Sequence, residues 1–458
     1  MTGTIREYIR VLQLVWPLAL GMANNAVMQF VDRAFLARVS EWAIEAVLPA
    51  SVLSFLFIGV FQSLAAYCGV FVAQYHGARD ERGCARAYAG GLAMTVLSAM
   101  ALIAIIPVGG LIFGWCGHAP EVVAHEVQYF DIVTAGGFAL CGTMAASGYF
   151  TGRGHTRVVF AVNLLGNVAN IALDWALIFG LGPIPAMGIR GAAYGTVAAQ
   201  VMQMVALNGL AMRDVSRRFA ADGGVRLFAS SEDVRAFRRL FVRMLRFGAP
   251  ASVYQFFNFL SFTIFVLLTG RIGGMAFAAS NAAFTVNYLL VAPVEGFSIG
   301  ASTLVGQGQG AGNPRLAAAG ARRTLVLALG YVTAVSVLVL LFHRPVLALF
   351  ATEGASYSAA EFTSLGFTLF LLMTAWQLFD AADVTLSGAL KGAGDTTFVM
   401  VWMLFSSFVF WMPLLFWAYR RWHSMVAIWS TMIAYVVVIC IGTSIRWFRG
   451  SWRKIKLV

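Results

Sequence analysis

VGQGQGAGNPRLAAAGARR, residues 305–323, has a counterpart in VAQYHGARDERGCAR, residues 72–86. The two stretches match at a constant offset of 233 residues, and further matches follow at an offset of 240. The matched pairs include Gln74 and Gln307, Gly77 and Gly310, Arg82 and Arg315, Gly148 and Gly388, Gly152 and Gly392, and Thr156 and Thr396. Two homologous halves in an apolar chain are typical of a transporter whose substrate site lies between its repeats.

The composition is that of a membrane protein. Hydrophobic residues make up 60% of the chain and charged residues 11%, whereas charged residues are about a quarter of a soluble domain. Twelve apolar stretches reach roughly 20 residues, enough to span a bilayer, and we expect the first to be a membrane helix rather than a cleaved signal. The predicted helices are 11–38, 46–74, 87–115, 124–150, 157–181, 188–212, 240–270, 279–307, 319–350, 360–389, 396–419 and 425–445. The expected fold is therefore an all-α membrane protein with twelve transmembrane helices.

The expected membrane topology accounts for the net charge of +12. With both termini in the cytoplasm, 25 of the 32 Lys and Arg residues fall in cytoplasmic segments, as the positive-inside rule requires. The basicity therefore calls for no nucleic-acid partner. We expect a monomer in the lipid bilayer of a plasma membrane, the bacterial inner membrane.

The longest polar stretch, residues 213–239, separates six predicted helices from six. We interpret it as a cytoplasmic linker between an N-lobe, residues 1–212, and a C-lobe, residues 240–458. Because six is even, both halves enter the membrane in the same orientation, and the repeats are expected to be parallel.

Further motifs make a family resemblance specific. SGYFTGRGHTR (147–157), LSGALKGAGDT (386–396), PLALGMANNAVMQFVDRAFLARV (17–39) and GIRGAAYGT (188–196) resemble the signatures of the multidrug and toxic compound extrusion (MATE) family. The likeness extends from Pro17 to the last helix. It implies a two-lobe antiporter, not an enzyme, that expels amphipathic and often cationic small molecules in exchange for inward proton or sodium flow.

Polar residues form stripes on two predicted helices. Steps of three and four residues keep a stripe on one helix face. The stripe of the fifth helix comprises Asn163, Asn167, Asn170 and Asp174. The stripe of the first helix comprises Asn25, Gln29 and Asp32. Asp32 lies roughly 20 residues above the basic inner end of the first helix, and Asp174 lies about 17 residues above Arg157, which places both in the outer half of the bilayer. Ionisable residues at that depth are expensive and usually functional.

The resemblance implies that Asp32, Asn170 and Asp174 form the cation-coupling site of the N-lobe, with Thr196 as a further oxygen ligand. The two carboxylates could share a proton, or their oxygens and the amide could surround a sodium ion. The alternative interpretation is structural: Asp32 pairs with Arg33 or an outer loop, and the asparagines join the helices. No cofactor other than the coupling ion is expected.

The C-lobe has its own polar residues. Asp380 resembles the aspartate of the tenth helix in a sodium-associated branch of the family, and Asp383 is a neighbouring acid. That branch also carries a Glu in the seventh helix, where this chain has Asn258 instead. Glu295 in the eighth helix is an additional acid, which could either compensate or bond a backbone group freed by Pro293.

Two other sets of residues have competing interpretations. The Gly-rich runs near 152–154 and 306–312 could cradle phosphate, but no predicted strand precedes them, which favours tight turns between packed helices. Most aromatic residues should face lipid or neighbouring helices, although some, such as Trp376, could line a drug cavity.

Other functions remain as alternatives. A flippase of a lipid-linked precursor would need a cationic cavity, whereas the intramembrane charges here are mainly acidic. A membrane-embedded enzyme would need a metal cluster or a Ser/His/Asp set, but the six His residues lack ligand spacing. A channel would not require two repeats.

Overall fold

The computed structural model describes residues 2–36, 41–183, 185–219, 230–350 and 358–458, and helices occupy most of these ranges. The helices of the first half are α1 (Thr2–Leu36), α2 (Glu41–Ala66), α3 (Cys68–Gly77), α4 (Glu81–Trp115), α5 (Pro120–Gly152), α6 (Thr156–Phe179) and α7 (Ile189–Phe219). Those of the second half are α8 (Ser231–Gly270), α9 (Gly274–Gly310), α10 (Pro314–Leu341), α11 (His343–Ala348), α12 (Ala359–Ala393), α13 (Thr396–Leu404), a π-helical segment (Phe405–Trp411), α14 (Met412–Trp422), α15 (Met425–Arg449) and a short 3₁₀ helix (Ser451–Lys454).

Every predicted apolar stretch is mainly helical, which confirms the all-α membrane class. Within the described ranges, eleven helical segments are long and apolar enough to cross a membrane. The predicted helix 188–212 corresponds to α7, which is not among these eleven. Polar side chains such as Gln203 and Asn208 within α7 lower its mean hydropathy.

Several helices continue beyond the apolar stretches. α7 reaches Phe219 and α8 begins at Ser231, so most described residues of the predicted linker 213–239 are helical. Residues 220–229 of that linker lie outside the described residues. Hydropathy marks where a chain leaves the apolar layer, whereas Arg, Lys and Glu are good helix formers that let the helix continue.

The Gly-rich turns permit close packing and tight chain reversal, as the sequence favoured. A Cβ added to Gly152 would lie 2.7 Å from the carbonyl oxygen of Gly69. Gly154 and Gly394 have φ angles of +82° and +93°, a region that glycine adopts without steric cost. Gly394 closes the C-terminus of α12 with its backbone N–H bonded to Leu390 and Lys391 carbonyls.

The helices divide into two compact units. One comprises Leu20–Phe256, Gly306–Asn313 and Leu457–Val458; the other comprises Met1–Ala19, Phe257–Val305 and Pro314–Lys456. We call them the N-unit and the C-unit. Their boundaries fall inside α1, α8 and α9. The lobes 1–212 and 240–458 stay a prediction.

Aromatic packing fills the core of the C-unit. The ring of Trp429 stacks on Trp376 and on Phe284 with centroid distances of 5.0 and 4.8 Å. Trp376 is only 3% exposed. The structure therefore assigns Trp376 to the core, in agreement with the packing interpretation of most aromatic residues.

Ion pairs join helix ends within each unit. Arg153 donates two hydrogen bonds to Glu81 in the N-unit, at 2.7 and 3.1 Å. Burial disfavours the charge of Arg153, but the hydrogen bonds to Glu81 together with the charges of Tyr149 and Glu81 outweigh burial and raise the pKa of the guanidinium. In the C-unit, Arg446 donates to Asp395 at 2.7 and 3.2 Å. Paired bonds of this kind fix geometry as well as contributing energy.

Candidate ion-coupling site

Asp174 lies at the centre of the polar stripe predicted on α6. Its side chain is fully buried, and Asn170, one turn away, is 1% exposed. Asp32 is half-buried on α1. The charge of Asp32 and the amide of Asn170 both interact with the Asp174 carboxyl, so the three side chains lie close together. The structure therefore brings together the three residues that the sequence predicted for the N-lobe site.

A glycine on α7 allows this grouping. A Cβ added to Gly195 would overlap with Oδ1 of Asp174. One turn earlier, a Cβ on Gly191 would overlap with the carbonyl oxygen of Leu177 on α6. These glycines belong to the motif GIRGAAYGT, and together they let the backbone of α7 approach α6 where the carboxyl group lies. Thr196 follows Gly195 and is half-buried.

Two buried side chains of this site, those of Asn170 and Asp174, lack hydrogen bonds of ordinary geometry. Among the described residues, neither carboxylate oxygen of Asp174 and neither amide atom of Asn170 forms one. Buried polar groups in proteins are almost always paired, and an exception calls for a water, an ion or a functional role. Carboxylate and amide oxygens suit a sodium ion, and a proton on one carboxyl would let it donate to the other.

The acids alone would not hold a metal ion. Over the ranges that the structure describes, no group of three or more His, Cys, Asp or Glu side chains could do so. A sodium ion at Asp32 and Asp174 would therefore need the Asn170 amide oxygen and a hydroxyl, carbonyl or water oxygen in addition.

A second polar layer lies two helical turns away. Asn167 on α6 donates from Nδ2 to Oδ1 of Asn25 on α1 at 2.9 Å. Gln203 on α7 donates from Nε2 to Oδ1 of Asn167 at 3.3 Å. These amides join α1, α6 and α7 in one hydrogen-bonded row. The side chain of Gln29, predicted on the same stripe of α1, lies outside the described residues.

In the C-unit, Asp383 is the buried acid of α12. Its side chain is 3% exposed, and Oδ1 accepts a hydrogen bond of 2.7 Å from Oγ1 of Thr443 on α15. Asp380 lies one turn earlier on α12 and is half-buried. The two acids therefore differ, since Asp383 has a hydroxyl donor and Asp380 is the more accessible carboxyl.

Glu295 and Lys391 complete the charged group of the C-unit. The Asp380 carboxyl interacts electrostatically with the carboxyl groups of Asp383 and Glu295. Lys391 interacts electrostatically with Glu295 and Asp383. Glu295 is exposed on α9 and Lys391 is half-buried on α12. Three predicted acids thus lie near one another, and Lys391, which was not predicted as a site residue, lies near two of them.

Two further polar residues of the C-unit lie on α12 and α8. Gln377 on α12 donates to Asn287 of α9 at 2.9 Å. Asn258 is half-buried on α8, and its place in the C-lobe site stays a prediction.

Four residues of these sites were not predicted from the sequence: Gly195, Gln203, Lys391 and Thr443. Gly195 carried a signal, because it stands in a recognised motif next to Thr196. Gln203 also carried one, as an amide inside an apolar helix. Lys391 could have been noticed because it continues a series of four-residue steps from Asp383 through Ser387. Nothing in the sequence singles out Thr443 among the many Thr residues.

Long apolar helices that bury acids and amides on their inner faces define an integral membrane transporter. The chain belongs to the MatE family of transporters, whose sequence model matches residues 17–176 and 225–417. Membership of this family makes the chain a transporter rather than an enzyme.

Comparison with individual proteins supports this family assignment. A probable multidrug resistance protein NorM of Deinococcus radiodurans is 30% identical over 406 residues, which cover 86% of this chain and 84% of that protein. A NorM protein of Thermotoga maritima is 23% identical over 443 residues, or 95% and 92% of the two chains. The crystal structure of the eukaryotic MATE transporter AtDTX14 matches with a TM-score of 0.84 at 19% identity, covering 99% of this chain and 98% of that one. At that identity the match shows the shared fold.

Proposed function

We propose that the chain is a secondary active antiporter that exports amphipathic, cationic small molecules in exchange for protons or sodium ions flowing inward. The multidrug resistance proteins among its relatives support the class of cargo. The acidic character of both polar sites supports the cationic charge of that cargo. The protein acts in the bacterial inner membrane, as a monomer with both termini in the cytoplasm.

The observation that carries the proposal is the buried site of Asp32, Asn170 and Asp174. Two carboxylates in one buried site repel each other when both are ionised, and an uncompensated buried charge is costly. A proton or a sodium ion relieves that repulsion. Exchange of this ion therefore changes the free energy of the surrounding helices, which is the requirement for coupling ion flow to cargo affinity.

Alternating access between two parallel six-helix repeats would complete the transport cycle. The matches at offsets of 233 and 240 residues support the repeats. In such transporters one repeat rocks against the other around the substrate. Asp32 and Asp174 belong to the first repeat, and we assign the primary coupling site to that half, with Thr196 as an additional oxygen ligand.

The flippase alternative is less well supported. A lipid-linked precursor carries phosphates and would favour a basic interior. Here Lys391 is accompanied by Asp383 and Glu295, and the Asp32–Asp174 site contains acids and amides.

Reconstituted flux tests the proposal. Proteoliposomes containing the purified protein would be loaded with ethidium and given a pH gradient, a sodium gradient or neither. We expect ethidium movement only with a gradient, and the effective gradient identifies the coupling ion. Gradient-independent movement would indicate a channel, and movement of a fluorescent lipid phosphate but not of ethidium would indicate a flippase.

A further inference from the structure

The two polar layers of the N-unit are separated by about two helical turns on each of three helices. Asn25 precedes Asp32 by seven residues on α1, and Asn167 precedes Asp174 by seven on α6. On α7, which follows α6 with a chain reversal, Gln203 lies eight residues beyond Gly195. Seven residues are about two helical turns, or about 10 Å. The amide row therefore lies directly below the acid site, on the same faces of the same three helices.

The amide row connects those helices in series. Asn167 uses its Nδ2 group to hold Asn25 of α1 and its Oδ1 atom to accept from Gln203 of α7. Asn167 is only 3% exposed, so water competes little for these bonds. Displacing Gln203 would leave the Asn167 oxygen without its donor and would loosen the register in which α1 meets α6.

A missing side chain on α6 creates the space for Gln203. A Cβ added to Gly166 would overlap with Cγ and Nε2 of Gln203. Gly166 thus leaves room for the Gln203 side chain, as Gly195 leaves room for the Asp174 carboxyl. The repeated use of a glycine opposite a polar group indicates that both layers depend on close approach between α6 and α7.

We propose that Gln203, acting through Asn167 and Asn25, positions Asp32 against Asp174. Gln203 and Asn167 are then positioning residues of the coupling site, although Gln203 stands two turns away from the acids. This inference rests on the proposed function, because it assigns a role within the same ion-coupled site.

The test is a double-mutant cycle on ligand binding. Ethidium affinity would be measured in detergent at acidic and alkaline pH, and with and without sodium chloride. The variants are Gln203→Met, which keeps the length of the side chain but removes its amide, Asp174→Asn, and the combination of both. Gly166→Ala displaces the same amide without changing a polar residue, and Gly209→Ala on α7, where an added Cβ meets nothing within 4 Å, is the matched control.

We expect Gln203→Met and Gly166→Ala each to reduce the ion-dependent ratio of ethidium affinities by about threefold or more, the scale of one interhelical hydrogen bond in a membrane. Gly209→Ala should leave the ratio unchanged. In the Asp174→Asn protein the ratio should already be close to one, and Gln203→Met should not change it further.

The outcomes separate this inference from the proposed function. A wild-type ratio of one under every condition would overturn the proposed coupling and the positioning role with it. A wild-type ratio that Asp174→Asn removes but that folded Gln203→Met and Gly166→Ala proteins retain would overturn only the positioning role. Equal losses in the presence and absence of Asp174 would likewise show that Gln203 acts on the fold alone.

Discussion

Gly77 and Gly310, which the 233-residue offset relates, each lie against the backbone of the other's helix. A Cβ on Gly77 would overlap with the carbonyl oxygen of Gln307, and a Cβ on Gly310 would overlap with that of Gln74. Gln74 and Gln307 are related by the same offset. The contact between α3 and the end of α9 is therefore reciprocal, and it lies within the N-unit.

This contact leads to the first prediction. Gly77→Ala and Gly310→Ala should each lower the thermal stability of the purified protein, by about 1–3 kcal/mol as is typical of overpacking, and should reduce efflux. The reason is that backbone, rather than a flexible side chain, has to move. Gly330→Ala on α10 is the control, because an added Cβ there meets nothing within 4 Å. Wild-type stability and efflux in both test variants would contradict the close contact.

Asp32→Asn should abolish gradient-driven ethidium efflux while the protein remains folded and inserted. The substitution keeps the size of the side chain but removes one of the two charges whose neutralisation drives the proposed transport cycle. Efflux from proteoliposomes measures the effect, and size-exclusion chromatography checks folding. Glu121→Gln, an exposed acid at the start of α5, should transport normally. Wild-type efflux by the folded Asp32→Asn protein would remove Asp32 from the coupling site.

The assignment of coupling to the first half predicts unequal effects of two acids. Asp174→Asn should abolish the dependence of ethidium affinity on pH or sodium, whereas Asp380→Asn should change affinity but preserve that dependence. The physical reason is that Asp174 is fully buried beside Asp32, while Asp380 is more accessible and interacts with the charges of Asp383 and Glu295. Titration of ethidium binding measures both. If only the Asp380 change removes the dependence, coupling lies in the C-unit.

Gly195→Ala should disrupt the coupling site without altering a polar residue. The new methyl group would overlap with the Asp174 carboxyl, so either that carboxyl or α7 has to shift. We expect efflux to fall by about tenfold or more, corresponding to about 1.4 kcal/mol or more of strain in the working state. The comparison is Gly209→Ala on the same helix, and equal efflux by the two variants would argue against close packing at Asp174.

Thr443→Val should destabilise the C-unit without removing ion dependence. It deletes the hydroxyl that donates to Asp383 and leaves a buried carboxyl without that donor, at a cost of about 1–3 kcal/mol. Thermal unfolding measures the loss. Ser430→Ala on α15, whose exposed hydroxyl bonds only its own helix, should have little effect. Loss of ion dependence in Thr443→Val would instead give Asp383 a part in coupling.

The sequence by itself determined the features that depend on local order. Hydropathy over about 20 residues identified the membrane helices, and the spacing of Asn167, Asn170 and Asp174 placed them on one face, because helical periodicity is a property of a single segment. The 233-residue offset identified Gly77 and Gly310 as equivalent. Helix ends were less well predicted, since the boundary of an apolar stretch is not the boundary of a helix.

Only the tertiary structure decided which faces meet. The depth of Asp32 and Asp174 made their proximity an expectation, but their contact depends on how α1 packs against α6, and the room for the Asp174 carboxyl depends on Gly195 of α7. The donor that Thr443 supplies to Asp383 and the row that Gln203 forms with Asn167 join residues from separate helices. Such pairs are set by packing between helices, which leaves no periodic trace in one sequence, and this is why the supporting residues of the sites became visible only in the folded chain.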